Sequence, residues 1–286
     1  MWSVVVSGLA TGALFAATAL VYNVMFSTSK VLSITTGSIA MLGGVFGAWF
    51  VTGLGFPVGL ALIAAIAVGA VFGWLTDLLA IRRVLARSDE HLWLLSTLAL
   101  ATMVQQAVAL WWGTEPKPFP RVIPQEFGAG IADQKFWLPI AVAVLMAIGL
   151  ELFYRRTMYG KLFLAMSEDA FAARARGIST DRIRSLSYVI AGALGGLAGF
   201  AAGQLTFAYF ALGLTLTLNG FIALAVGGLG SNLGALVGGA ALGLLNAFAS
   251  YLVGGEFQQT ISVGLLMVIL LVKPEGLFGS RNTRPV

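Results

Sequence analysis

The densest run of groups able to do chemistry is Ser167-Glu168-Asp169, followed by Ala170, Phe171, Ala173, Arg174, Arg176 and Gly177. Their order suits docking rather than catalysis. A serine hydroxyl at the start of a helix accepts from a free backbone N–H. Glu168 and Asp169 would stand in the first turn and Arg174 and Arg176 in the last, as the helix dipole favours. Gly177 can take the left-handed conformation that closes a helix. The spacing therefore predicts a short helix from Ser167 to Gly177 with a slim, mildly apolar body. It is far below the ~20 residues that a bilayer requires. Such a helix lies across a membrane face or docks in another protein's groove. A solvated loop with one or two helical turns is the plainer alternative.

Catalytic chemistry is poorly supplied. There is no cysteine, which excludes disulfides, thiol catalysis and thiolate metal sites. The single histidine, His91, follows Asp89 and Glu90 at a span edge, where a solvated role is the plainer reading. No G-x-x-x-x-G-K-[ST] phosphate loop occurs. If ATP drives this protein, another chain must hold the nucleotide. Proton-coupled carriers place ionisable groups inside the bilayer. Here Asp77 and Glu151 fall near span ends instead. A sodium site built from carbonyls and hydroxyls stays open.

Neutral polar residues inside apolar stretches are few. They include Tyr22, Asn23, Gln105, Gln106, Gln204, Asn219 and Asn246. Any one of them more commonly joins helix to helix. Two clusters are better candidates for a solute path, because broken helices offer free backbone groups. One is Thr35, Thr36, Gly37 and Ser38, near Asn23 at the end of the first span. The other is Gly227 to Asn232, with Gly228, Gly230, Ser231 and Asn232.

The elements that must hold these groups are membrane helices. Of 286 residues, 58% are hydrophobic and 10% charged, so an aqueous fold could not bury the apolar surface. Long unbroken apolar runs exclude a spanning barrel, whose strands alternate. The expected fold is an all-α polytopic membrane protein with about nine transmembrane helices, eight to ten allowed. The predicted spans are 4–26, 31–51, 57–81, 92–112, 136–154, 186–207, 214–228, 233–252 and 257–272. The second and seventh are the candidates for broken or re-entrant helices. Residues 1–286 would form one transmembrane domain, with a polar cytoplasmic loop at 157–184.

Excess positive charge at 82–87, 155–184 and 273–284 assigns those segments to the cytoplasm. The charge-balanced 114–135 loop then lies outside. That puts the N-terminus outside and the C-terminus inside. A net charge of +5 set by loop residues gives no reason to expect a nucleic-acid partner. Glycine pairs such as Gly192/Gly196 and Gly199/Gly203 predict close helix packing.

Four blocks resemble a known family: Ser38 to Gly44, Thr157 to Ile178, Val226 to Gly239, and Lys273 to Gly279. In this order they resemble the permease subunits of branched-chain amino-acid ABC importers, in particular the shorter of the two paired types. The chain departs from the family pattern at Ile34 to Gly37, and Lys161 is all that remains of a basic cluster after Gly160. The resemblance implies a bacterial inner-membrane importer of branched-chain amino acids or related small polar solutes. Relatives also carry urea, short amides and aromatic acids. It implies four kinds of partner: a second permease, two cytoplasmic ATPase subunits that bind the ATP, an extracytoplasmic solute-binding protein, and membrane lipid. It also implies that Ser167 to Gly177 couples to the ATPase, and that this chain carries no cofactor or catalytic residue. A stand-alone carrier or channel is the alternative, and a membrane scaffold a third reading.

Overall fold

The computed structural model describes residues 1–85, 92–119, 134–273 and 275–279. Asp89, Glu90, His91 and the basic residues Arg87, Arg121, Arg281 and Arg284 lie outside the described residues, as do Glu126 and Asp133.

Helices dominate the described residues: α1 Trp2–Ser29, α2 Thr35–Thr52, α3 Val58–Thr76, α4 Leu92–Trp112, α5 Trp137–Arg156 and α6 Met158–Glu168. Then come α7 Ala170–Ala175, α8 Thr180–Leu205, α9 Leu212–Gly227, α10 Asn232–Leu252 and α11 Gln258–Val272. α3 runs on through a π turn, Asp77–Ile81, and a last turn, Arg82–Leu85. Eight of the described helices are long and apolar enough to cross a bilayer. α9 is apolar but only 16 residues long, matching the expected weakness of the seventh segment.

Helix ends follow local chemistry. Lys30 closes α1 in the left-handed conformation at φ 57, its amide donating to the Phe26 carbonyl. Pro57, with fixed φ and no N–H, precedes α3. Two expected boundaries move. The second span begins at Thr35 rather than Val31, because the chain turns at Lys30 and Thr36 bonds back to the Ser33 carbonyl. The sixth begins at Thr180 rather than Leu186, with Asp181 in its first turn, where the dipole favours an acid.

α1 is the central post. It packs against α10, α8, α9 and α5, and Ala17, Leu20, Val24 and Met25 are fully enclosed. α8 packs on α3, α2 and α1. The approach is close because glycines line the seams. A methyl added at Gly12 would sit 2.6 Å from the Gly239 carbonyl oxygen of α10. With lipid as apolar as leucine, such backbone contact is what holds membrane helices together.

α4 and α11 sit at the periphery, and side chains such as Leu110 and Leu271 point outward. At the face where α1 begins, the chain after α4 is strapped to the chain after α8. Lys117 and Ala208 exchange both backbone hydrogen bonds, and the Trp112 indole donates to the Ala208 carbonyl. Phe119 meets Phe200 edge-on, ring centroids 4.9 Å apart.

Candidate functional site

The 157–184 stretch is more helical than expected. Thr157 caps α6, its hydroxyl accepting from the Gly160 amide at 2.9 Å. The helix runs to Glu168 and buries Phe163 and Met166 against the bundle. Ser167 is therefore not the cap of the short helix. It lies in the last turn of α6 and donates to the Leu164 carbonyl at 2.8 Å.

Asp169 takes the capping role. Its carboxylate accepts from Phe171 N–H at 2.8 Å and Ala172 N–H at 2.9 Å. α7 follows as Ala170–Ala175. Arg174 lies in its last turn, and Gly177 closes the segment at φ +85. Glu168, expected in the first turn, stands before the cap. Ala170 is exposed, Ala173 is buried as the anchor, and Phe171 is 83% exposed. An exposed phenyl ring on a capped, anchored helix is a ready contact for another surface.

The path candidates divide. Asn23, Gly230, Ser231 and Asn232 gather around a cavity of about 790 Å³ at the α6–α7 face, which Ser167 and Glu168 also line. Asn23 organises its edge. Its Oδ1 accepts from Gly230 N–H at 2.9 Å and its Nδ2 donates to Asn232 Oδ1 at 3.3 Å. The Ser231 hydroxyl caps α10 by accepting from Gly234 N–H. Lys30 reaches across to donate to the Ser167 carbonyl at 2.6 Å, which ties the end of α1 to α6. Burial lowers the Lys30 pKa, since desolvation disfavours the ammonium.

Thr35, Thr36, Gly37 and Ser38 are instead packed inside the bundle. Thr35 bonds the Ser33 hydroxyl at 2.7 Å. Thr217 of α9 donates to the Ile34 carbonyl, and the Tyr22 hydroxyl donates to the Thr217 carbonyl. Gly37 lies flat against Gly213 and Thr217. This cluster joins α1, α2 and α9. Gly228 is likewise packed, at φ +102, against Gly276 and Gly279 of the tail. The tail pairs with the end of α9, where Leu277 and Phe278 amides donate to the Val226 and Gly227 carbonyls at 2.9 Å. The third and fourth family blocks therefore touch.

Reading the sequence alone missed a buried ion pair. The Arg184 Nε of α8 donates to Asp77 Oδ1 in the π turn after α3 at 2.7 Å, with their side chains 10% and 2% exposed. Ser185 bonds the other Asp77 oxygen, and Asp181 accepts from Arg184 at 2.9 Å. Arg174 of α7 donates to Thr180 at 3.0 Å, so the set abuts the short helix. The available signal was two opposite charges at the same-face ends of the third and sixth predicted spans.

On the opposite face, a second cavity of about 590 Å³ lies among α1, α9, α10 and the chain before α11. Asn219 and Asn246 line it, each buried.

Comparison with known proteins agrees with this architecture. The family profile described as "Branched-chain amino acid transport system / permease component" matches residues 4–271. The high-affinity branched-chain amino acid transport system permease protein LivH of Escherichia coli K12 is 28% identical over 299 residues, covering 98% of this chain and 96% of that protein. BraD of Pseudomonas aeruginosa, with the same description, is 28% identical over 297 residues, with the same coverage of both chains. The fructose import permease protein FrcC of Rhizobium meliloti is 26% identical over 253 residues, covering 83% of this chain and 68% of that protein. A multi-pass helical bundle and a profile spanning nearly its whole length lead to one conclusion: this chain belongs to the family of permease components of branched-chain amino acid transport systems, and is a transport component rather than an enzyme.

Proposed function

We propose that this chain is the membrane-spanning subunit of an ATP-driven importer for branched-chain amino acids or related small polar solutes. It works beside a second, homologous permease, and the solute passes at their interface. Two ATPase subunits sit on the α6–α7 face, which is cytoplasmic, and a solute-binding protein delivers solute to the opposite face. The N-terminus is outside and the C-terminus inside.

The observation that carries this reading is α7: capped by Asp169, anchored by Ala173 and presenting Phe171 to the outside. ATP binding closes the ATPase pair and pushes α7. The push reaches α8 through Thr180, α3 through Arg184 and Asp77, and α1 through the Lys30–Ser167 bond. The last of these contacts borders the cavity lined by Asn23 and Gly230 to Asn232, which serves as the inner end of the path.

The test is Phe171→Asp in the reconstituted complex. A charge at the docking surface should reduce solute-stimulated ATP hydrolysis at least about tenfold, since an aromatic hot spot at an interface contributes about 2 kcal/mol or more. Melting of the variant chain should match the parent. Undiminished hydrolysis would remove α7 as the coupling element. Uphill solute uptake by this chain alone in liposomes would favour a stand-alone carrier instead.

A further inference from the structure

Lys30 holds a backbone conformation that a side chain does not favour. At φ 57 it is the only residue other than glycine with a left-handed backbone among the described residues. It closes α1, its amide donating to the Phe26 carbonyl, at a position that glycine or asparagine usually fills. A β-carbon there crowds the following carbonyl oxygen. Local structure gives no reason for a lysine, so the reason lies in what its side chain reaches.

That side chain is held at both ends. Its ammonium stands 5.5 Å from the centre of the Phe26 ring, one turn back on α1. It donates to the Ser167 carbonyl in the last turn of α6 at 2.6 Å. The carbonyl is open to it, because the amide that would serve it in a longer helix, Phe171 N–H, donates to Asp169 instead. A cation at a helix C-terminus also suits the dipole. The bond is exposed, and water competes for both partners, so it adds little to stability. A disfavoured backbone kept for a weakly stabilising contact points to use.

What this strut can move is the path. Asn23 stands two turns earlier on the same helix and holds Gly230 and Asn232 at the break before α10. Lys30 and Asn23 line the same cavity. The links through Thr180 and Arg184 lead to α8 and α3 instead.

We propose that Lys30 is a positioning residue for coupling: its ammonium carries the displacement of α6 to the end of α1, and without it ATP is hydrolysed while the path stays unmoved. This rests on α6 and α7 forming the docking face, as proposed above.

The test is L-leucine uptake per ATP hydrolysed in the reconstituted complex, with heat unfolding of each variant chain. Three variants separate the backbone from the ammonium. Lys30→Gly relaxes the backbone and removes the donor. Lys30→Met removes the donor but keeps the β-carbon and the stem. Lys30→Arg keeps a cationic donor. Lys30→Gly should melt no lower than the parent and above Lys30→Met. Both should hydrolyse ATP at the parental solute-stimulated rate, while uptake per ATP falls at least about fivefold, the low end of coupling between sites. Lys30→Arg should retain the parental ratio. A tie that only stabilised would make uptake follow melting temperature, with Lys30→Gly the best transporter of the three. An unchanged ratio in Lys30→Gly or Lys30→Met, or an equal loss in Lys30→Arg, would overturn the proposal. Phe171→Asp is run alongside. If it spares hydrolysis, the docking face is wrong. If it abolishes hydrolysis and the Lys30 variants transport normally, only the role of Lys30 is wrong.

Discussion

Asp77 and Arg184 show how much depends on single partners. Each is a charge withdrawn from water, and each has the other as its nearest opposite charge. Removing one partner of a buried pair typically costs about 3–5 kcal/mol, whereas replacing both with apolar groups of similar size can be near neutral. Asp77→Leu should therefore lower the melting temperature sharply. Asp77→Leu combined with Arg184→Met should recover most of the loss, and a thermal double-mutant cycle reads the coupling directly. The charges themselves were legible in the sequence, each near the end of a span. Their pairing was not, because residues 77 and 184 meet only once α3 and α8 lie side by side. The same holds for Lys30. A lysine between two spans is visible in one dimension, but the carbonyl that it reaches is visible only in three.

At the level of elements, the short helix was legible in kind and misplaced by two residues. Capping logic favoured Ser167 because serine is a good cap and acids follow it. The apolar positions Leu162, Phe163 and Met166 let α6 continue through that serine on the core side, and the next capping residue, Asp169, took the role. Asp169→Ala should destabilise α7 by about 1 kcal/mol, the usual value of a lost N-cap. Faster hydrogen exchange at Phe171 and Ala172, whose amides lose their acceptor, would report it, and Ser167→Ala should leave those amides unchanged. The Gly227 to Asn232 break was predicted and is present, with Gly228 and Gly230 at φ +102 and +87. The Thr35 cluster looked like a second opening because hydroxyls at a helix start resemble a broken segment. Its Thr35 and Thr36 hydroxyls bond the hydroxyl and carbonyl of Ser33, and the cluster is buried.

Across the whole molecule, apolar length and periodicity specified the bundle, span by span, with the short seventh helix included. Neighbour relations were less accessible, since small-residue spacing marks a close seam without saying which helix lies across it. The seams can be tested by contrast. Gly12→Ile would push a side chain into the α10 backbone, whereas Gly149 of α5 has open space where its side chain would go. Gly12→Ile should yield aggregated protein on size-exclusion chromatography, and Gly149→Ile should elute as the parent does.

The central position of α1 also bears on how the molecule is made. It leaves the ribosome before the other described helices, yet three of those that enclose it, α8, α9 and α10, follow far later in the chain. At about 5–20 residues per second, translation from the end of α1 to the end of α10 takes roughly ten to forty-five seconds. For most of that interval, until Thr217, Gly230 and Asn232 are made, Tyr22 and Asn23 lack these bonding partners. Something in the membrane must shelter that helix while it waits, so the nascent chain should crosslink to the insertion machinery through α1 until α10 has emerged.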